Sequence, residues 1–596
     1  MFLRAKVRKK DGKQHRYFSV VENRRVGHNK TVQRTVLHLG EINDKQENAW
    51  RNTLEVFDEN RQQYATLSLF PADRELPIES MNTLQVKLSE MALRRPRVFG
   101  SCWLACELWR QLQLDTFWQE RLCSQRETVP WEKVLRLLVV NRLLEPGSEF
   151  RVHQHWFDQS AMGELLDADF AVAEKDRLYR CLDRLLEHKQ ALFAHLRQRW
   201  QDLFRAQFDV LLYDLTSTYI EGEGEQIPKA KYGYSRDQRF DCKQVVIALV
   251  ITPDGFPLAY EVMNGNTSDR TTLRAFLEKI EASYGQAHRV WIMDRGIPTE
   301  ATLAHMRSTE QKISYLVGTP RSKIRQYEKK WLELPWRKVR DAVEVKLFAE
   351  QGELYVLAKS EGRRAKERAM RRKKLGRLLG KLRAMRRNCP PRDQLLLRIG
   401  AARKEAAGVS RFIEIRVPRE GEAVTRASFH FRLDKTKLKA AEFEDGYYLL
   451  RSNLIEEDPA VLWERYIQLT QIEAAFKALK SEMGLRPIYH QLGQRVEAHI
   501  FIAFLAYCLL VTLKNRLQAL APGLTPKVVL EKLSAIQMLD VYLPTTDGRY
   551  LVMPRYTQPE PDQAILLHKL QLALPAQPPP RIQAKSHEFP REALRL

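Results

Sequence analysis

Phe208-Asp209-Val210-Leu211-Leu212-Tyr213-Asp214 changes the texture of this 596-residue chain. Upstream, apolar residues recur at helical spacing. Here they run consecutively and stop at a carboxylate, as in a buried strand ending at a sheet rim. Strand-like runs follow from Gln244 to Ile251 and from Pro257 to Val262, separated by Pro253-Asp254-Gly255, a hairpin signal. A helix is predicted over about 270–283. After it come the strands Arg289-Val290-Trp291-Ile292-Met293-Asp294, again closing on an aspartate, and Ser314-Tyr315-Leu316-Val317.

Three antiparallel strands, a helix and further strands predict an α/β fold with a ribonuclease H-like core, its first part at 206–321. An insertion over 322–452 interrupts it, with a basic helical stretch from Lys359 to Arg387 and strand-like segments at Phe412–Val417 and Tyr447–Leu450. The core resumes over 453–572 with a helix that Asp458 can cap and Pro459 can open. Ahead of it lie a small basic β module at 1–43 and an all-α region at 44–205, both candidates for DNA binding. The tail, 573–596, contains Pro578-Pro579-Pro580 and is predicted to be disordered.

A formal net charge of +24 favours a polyanionic partner, because each phosphate neutralised by Lys or Arg releases a condensed counterion. Double-stranded DNA is the expected partner, although ribosomal and membrane-surface proteins can be equally basic. The seven cysteines are scattered without a C-x-x-C pair, which points to a reducing compartment and away from a zinc module. The fourteen histidines form no H-E-x-x-H spacing. The longest apolar run, Ile500 to Leu513, is shorter than a membrane span requires and predicts a buried core helix. No membrane association is expected, and the N-terminus carries no secretory hydrophobic stretch, so a cytoplasmic protein is expected, on the nucleoid when active.

Asp214 and Asp294 end strands that lie side by side in a ribonuclease H-like sheet. Two adjacent carboxylates repel, and a cation between them relieves the repulsion. Oxygen ligands of this kind suit Mg²⁺ or Mn²⁺. Glu473 lies on the helix opened by Pro459, where Ile472, Phe476, Leu479 and Met483 recur as the buried stripe. Tyr466, Glu473 and Lys480, spaced by sevens, form a second stripe beside it. A pair of metal ions roughly 4 Å apart held by the three acids would activate water or a DNA 3′-hydroxyl and stabilise the leaving oxygen.

These residues resemble the DDE transposases of bacterial insertion sequences, in the IS-four group with a Y-x2-R-x3-E-x6-K helix. Tyr466, Glu473 and Lys480 match that helix in register, while Leu469 stands where the group has Arg. Tyr232-Gly233-Tyr234-Ser235-Arg236-Asp237, Gly255-Phe256-Pro257-Leu258, Gly265-Asn266-Thr267-Ser268-Asp269 and Asp294-Arg295-Gly296 also look like this family. The resemblance covers about 205–515 and implies cut-and-paste chemistry at terminal inverted repeats and target DNA. A dimer or higher oligomer on DNA is expected. The competing functions are a metal-dependent nuclease on the same fold and a domesticated DNA-binding regulator without activity.

Taken singly, each acid has a blander role: Asp214 and Asp294 as turn residues, Glu473 in a surface pair with Lys477. Their order on strand, strand and helix favours catalysis. Lys480 and Tyr466 are expected to hold the DNA backbone, unless Lys480 only lies along the core edge and Tyr466 packs. Arg371-Arg372-Lys373-Lys374 are expected to contact DNA rather than form a merely solvated face. Trp331 and Trp336 are read as core.

Overall fold

The computed structural model describes residues 2–10, 13–26, 30–41, 55–58, 63–66, 86–123, 129–267, 273, 276–278, 280, 289–294, 297–308, 313–319, 327, 331, 333–340, 343–454, 458–546 and 548–583. They fall into two compact units. The first comprises 1–207, 215–267 and 471–596; the second comprises 208–214 and 268–470.

The first unit begins with an antiparallel meander of β1 (Phe2–Lys10), β2 (Lys13–Val26) and β3 (Lys30–Glu41), in which Phe18 and Val21 are buried. The stretch predicted to be all-α contains strands as well. β4 (Glu55–Asp58) and β5 (Gln63–Thr66) pair as a hairpin, and β6 is Ala92–Val98. Their β-branched and aromatic residues, Val56, Phe57, Tyr64 and Thr66, explain the preference. Helices dominate from Gly100 to Phe204.

Strand β7 (Val210–Tyr219) is shared between the units. Its neighbour β8 (Gln244–Ile251) is buried at every position, which is why it reads as an unbroken apolar run rather than an alternating one. β9 (Pro257–Asn264) pairs antiparallel with β8 through the predicted turn. Gly255 there has φ of +94°, and a Cβ would meet Val511 at 3.2 Å, so the turn needs glycine on both counts.

In the second unit β10 (Val290–Met293) pairs in parallel with β7 and with β11 (Ser314–Thr319). Read through β7, the order β9-β8-β7-β10-β11 is that of a ribonuclease H-like core. The insertion does not form a sheet of its own at this edge. β12 (Arg337–Arg340), β13 (Val343–Glu350), β14 (Glu353–Ser360) and β17 (Tyr447–Ser452) continue beyond β11 in the order β12-β13-β14-β17-β11. Buried Arg451 on β17 ties this extension down, donating at 2.6 Å to Glu353 of β14 and at 2.7 Å to Glu300. Among the described residues of the insertion, β15 (Ile413–Arg416) and β16 (His430–Leu433) make a separate two-stranded ribbon.

The basic stretch is the helix Glu361–Asn388, whose Leu375, Leu378, Leu382 and Met385 are buried against the helix Arg392–Glu405. The helix expected over about 270–283 lies largely outside the described residues.

Back in the first unit, the helix Gly493–Leu520 contains the longest apolar run. It is long and apolar enough to cross a membrane, yet 89% of its most apolar window is buried in the protein. Trp118, Phe193 and Tyr260 pack on its Phe501 and Phe504, and Trp200 donates to Thr512 at 3.0 Å. It is a core helix, as the sequence predicts. β18 (Gln537–Pro544) pairs with β6 and β19 (Tyr550–Tyr556), and β20 (Arg581–Gln583) completes that sheet. The tail predicted to be disordered is therefore strand at 581–583, because the exposed edge of β19 supplies hydrogen-bond partners.

Candidate active site

Parallel pairing of β7 and β10 runs Val290↔Val210, Trp291↔Leu211, Ile292↔Leu212 and Met293↔Tyr213. The next position on each strand is an aspartate, Asp214 and Asp294. The four apolar positions of β10 are all buried and Leu211, Leu212 and Tyr213 are buried beside them, so the core fixes the register. Neighbouring strands lie about 4.8 Å apart, so the two aspartates stand at adjacent positions; Asp294 follows the last residue of β10, whereas Asp214 is the fifth residue of β7, which runs on to Tyr219, and does not end its strand as the sequence predicts. Asp214 is half-buried and Asp294 exposed. Ile297 N–H donates to the Asp294 carbonyl at 3.2 Å. Two acceptor-only groups at neighbouring strand positions make an oxygen donor set that fits a divalent cation. Arg295 and Gly296, which follow in the family-like segment, lie outside the described residues.

The chain from Pro459 to Glu482 is not one continuous helix. Asp458 caps its start as predicted, accepting from Ala460 N–H at 2.9 Å, with Pro459 in the first turn. The first segment ends at Ile467, a second runs Leu469–Lys477, and Ala478–Glu482 is a π-helical turn. Ile472, Phe476, Leu479 and Met483 are buried as expected. Glu473 is exposed and belongs to the first unit. Tyr466, in the second unit, is buried, with Trp463 and Tyr448 rings 6.4 and 6.1 Å from its own. Lys480 is largely buried and its ammonium donates to Asp237 at 3.0 Å, a carboxylate that also receives Arg486. Burial lowers the Lys480 pKa, and Asp237 opposes that shift only partly.

Asp237 itself was not singled out by sequence. Its carboxylate is 5% exposed, and Oδ2 is buried without a hydrogen-bond partner. The signal was present: it is a lone acid in the family-like segment Tyr232–Asp237, between Arg236 and Arg239. That segment is pinned to the other glycine-bearing one. A Cβ on Gly233 would lie 2.2 Å from the Gly265 carbonyl oxygen, and Gln244 Nε2 donates to the carbonyls of Tyr234 and Gly265 at 3.1 and 2.8 Å. Both glycines are therefore close-approach positions. Tyr232 and Tyr234 are left exposed.

Within the basic run the four residues differ. Arg371 is engaged by the fully buried Asp445, with one bond at 2.7 Å and a second, shorter contact. Arg372, Lys373 and Lys374 are exposed. Trp331 is core, 4% exposed and packed on Phe348 with ring centroids 4.6 Å apart; Trp336 is packed against that cluster.

A family model described as "Transposase DDE domain" matches residues 205–509, and one described as "IS1634 family transposase, N-terminal domain" matches residues 3–65. Among solved structures, a cryo-EM structure of a piggyBac transposase synaptic complex with hairpin DNA aligns with TM-score 0.34 and 8% identity, over 73% of this chain and 78% of that one. No curated protein matches the chain.

Proposed function

From the premise that this chain belongs to the DDE transposase family, as an insertion-sequence transposase, we propose that Asp214, Asp294 and Glu473 are its catalytic acids. The observation that supports this is the β7–β10 register, in which Asp214 and Asp294 directly follow the paired residues Tyr213 and Met293. Their carboxylate oxygens would hold Mg²⁺ or Mn²⁺, with Glu473 as the third ligand. A bound pair of such ions supplies the charge that activates water or a 3′-hydroxyl and stabilises the leaving oxygen. The protein's own part is to hold three anions where phosphate must approach and to bring DNA to them. Among the described residues, Arg372, Lys373 and Lys374 offer exposed charge for the duplex backbone. Lys480 and Tyr466 are proposed as positioning residues for the DNA backbone in an IS-four-type arrangement, with Lys480 sharing its ammonium between phosphate and Asp237. The substrates in this reading are terminal inverted repeats and target DNA, bound by a dimer or higher oligomer.

The test is cleavage and strand transfer of element-end DNA by Asp214→Ala, Asp294→Ala and Glu473→Ala, with end-binding followed in parallel. Loss of both reactions with binding retained is the expected result. Near-normal cleavage in any one variant removes that residue from the triad.

A further inference from the structure

The first unit holds a set of ligand-type side chains that the DNA chemistry does not use. Glu149 opens the short helix Glu149–Arg151, whose start Ser148 caps by accepting from Arg151 N–H at 3.2 Å. His490 lies in the segment before the helix Gly493–Leu520, and His499 lies on that helix. One donor atom from each of Glu149, His490 and His499 falls within 4.8 Å of the other two, the only such group of three or more among the described residues. Glu149 and His499 are 3% and 6% exposed.

This arrangement is not a satisfied polar network. Glu149 Oε1 and His499 Nε2 are buried without hydrogen-bond partners. His490 Nε2 stands 3.5 Å from Glu149 Oε1, too far to be a strong charge-assisted bond. Arg142 does not close the gap. Its Nη1 donates to the Gly484 carbonyl at 3.2 Å and its Nη2 faces His499 Nδ1 at 3.5 Å, on the side of the ring away from the unpartnered nitrogen. Glu149 Oε1 meets His490 only at 3.5 Å and His499 Nε2 has no hydrogen bond of good geometry; buried polar atoms so weakly satisfied are costly, and one cation satisfies both at once.

We propose that Glu149, His490 and His499 bind one borderline transition-metal dication of the Zn²⁺ type, which fastens the Glu149 turn and the His490 segment to the helix Gly493–Leu520. Two imidazoles with one carboxylate select such an ion over Mg²⁺ or Ca²⁺, which prefer oxygen. Around a tetrahedral ion with bonds near 2.1 Å, donor atoms sit about 3.4 Å apart, so a group now within 4.8 Å draws together by at most about 1.4 Å when the ion binds.

The test uses the full chain carrying Asp294→Ala, which weakens the acid rim as a competing site. After chelation and dialysis it is reloaded with Zn²⁺ for elemental analysis and with Co²⁺ for visible absorption. The expected result is one Zn²⁺ retained per chain, Co²⁺ bands of an imidazole-containing site of low coordination number, and both lost in Glu149→Gln and His490→Gln. A thermal midpoint lowered by chelation and restored by Zn²⁺, in the background protein but not in these variants, is expected as well. Zn²⁺ retention well below one per chain, or unchanged retention in a folded His490→Gln, overturns the proposal. If both variants fail to fold, the Co²⁺ spectrum of the background protein decides: weak octahedral bands alone overturn it. None of these outcomes depends on catalysis, so the acid triad and this site fail or stand separately.

Discussion

The strand pair carrying Asp214 and Asp294 and the helical stretch carrying Glu473 and Lys480 were both legible as spacing, but spacing is worth different amounts in the two. Register with a neighbouring strand fixes a residue's position, and the three buried pairs Leu211–Trp291, Leu212–Ile292 and Tyr213–Met293 oppose slippage. A helical stripe is an extrapolation that holds only while the turn stays regular. Between Tyr466 and Lys480 the chain breaks at Gln468 and widens into a π-turn at Ala478–Glu482. Tyr466 is accordingly buried, Glu473 exposed and Lys480 bound to Asp237.

The comparison is most easily broken at the two aspartates. Asp214→Ala or Asp294→Ala is expected to reduce cleavage by at least about 10³-fold while end-binding changes little, since a metal ligand is lost and no DNA-reading contact is. Metal removal is the matching experiment. Excess chelator should stop cleavage, Mg²⁺ or Mn²⁺ should restore it, and Ca²⁺ should support DNA binding better than chemistry because it tolerates looser geometry. Full cleavage in chelator would contradict the whole acid-site reading.

A smaller effect is expected on the helical side. Lys480→Ala leaves the buried Asp237 with Arg486 as its remaining cationic partner, so a loss of about 2 kcal/mol is expected, read as a lowered thermal midpoint. If Lys480 also touches a DNA phosphate, the slope of log affinity against log salt becomes shallower by about one unit. A lowered midpoint with an unchanged slope would assign Lys480 to Asp237 alone.

What the sequence concealed follows from the same physics. Strands β7 to β11 were readable because their apolar runs are local, but the end of β7 was not: it continues past Asp214 through the polar Thr216-Ser217-Thr218 to Tyr219. The hairpin of β13 and β14 was missed because Val343–Glu350 mixes charged and apolar residues as an outer strand does, and nothing local says that it extends the core sheet. Glu149 is separated from His490 and His499 by most of the chain, and the two histidines lie nine apart, off the spacing of a helical ligand pair. Asp237 became prominent only once its distant partners Lys480 and Arg486 were placed.

The smallest predicted effect lies within four consecutive residues of the basic helix Glu361–Asn388, where the sequence treated Arg371, Arg372, Lys373 and Lys374 alike. Helix geometry separates them. Leu375, Leu378 and Leu382 set the buried face, and Arg371 lies one turn before Leu375 and points to Asp445, which is fully buried. Arg371→Ala should therefore strand a buried carboxylate and lower the thermal midpoint, and any fall in DNA affinity should follow from that loss of structure. Arg372, Lys373 and Lys374 are exposed and carry no such structural duty. Lys373→Ala should leave the midpoint unchanged, weaken binding equally for specific and nonspecific DNA, and make the salt slope shallower by about one unit. The triple change Arg372→Ala, Lys373→Ala and Lys374→Ala should lower the slope by up to about three units if all three reach phosphate. Parent-like slopes in both the single and the triple variants would show that this face of the helix is merely solvated, and would move the search for the duplex contact to the basic β1–β3 meander.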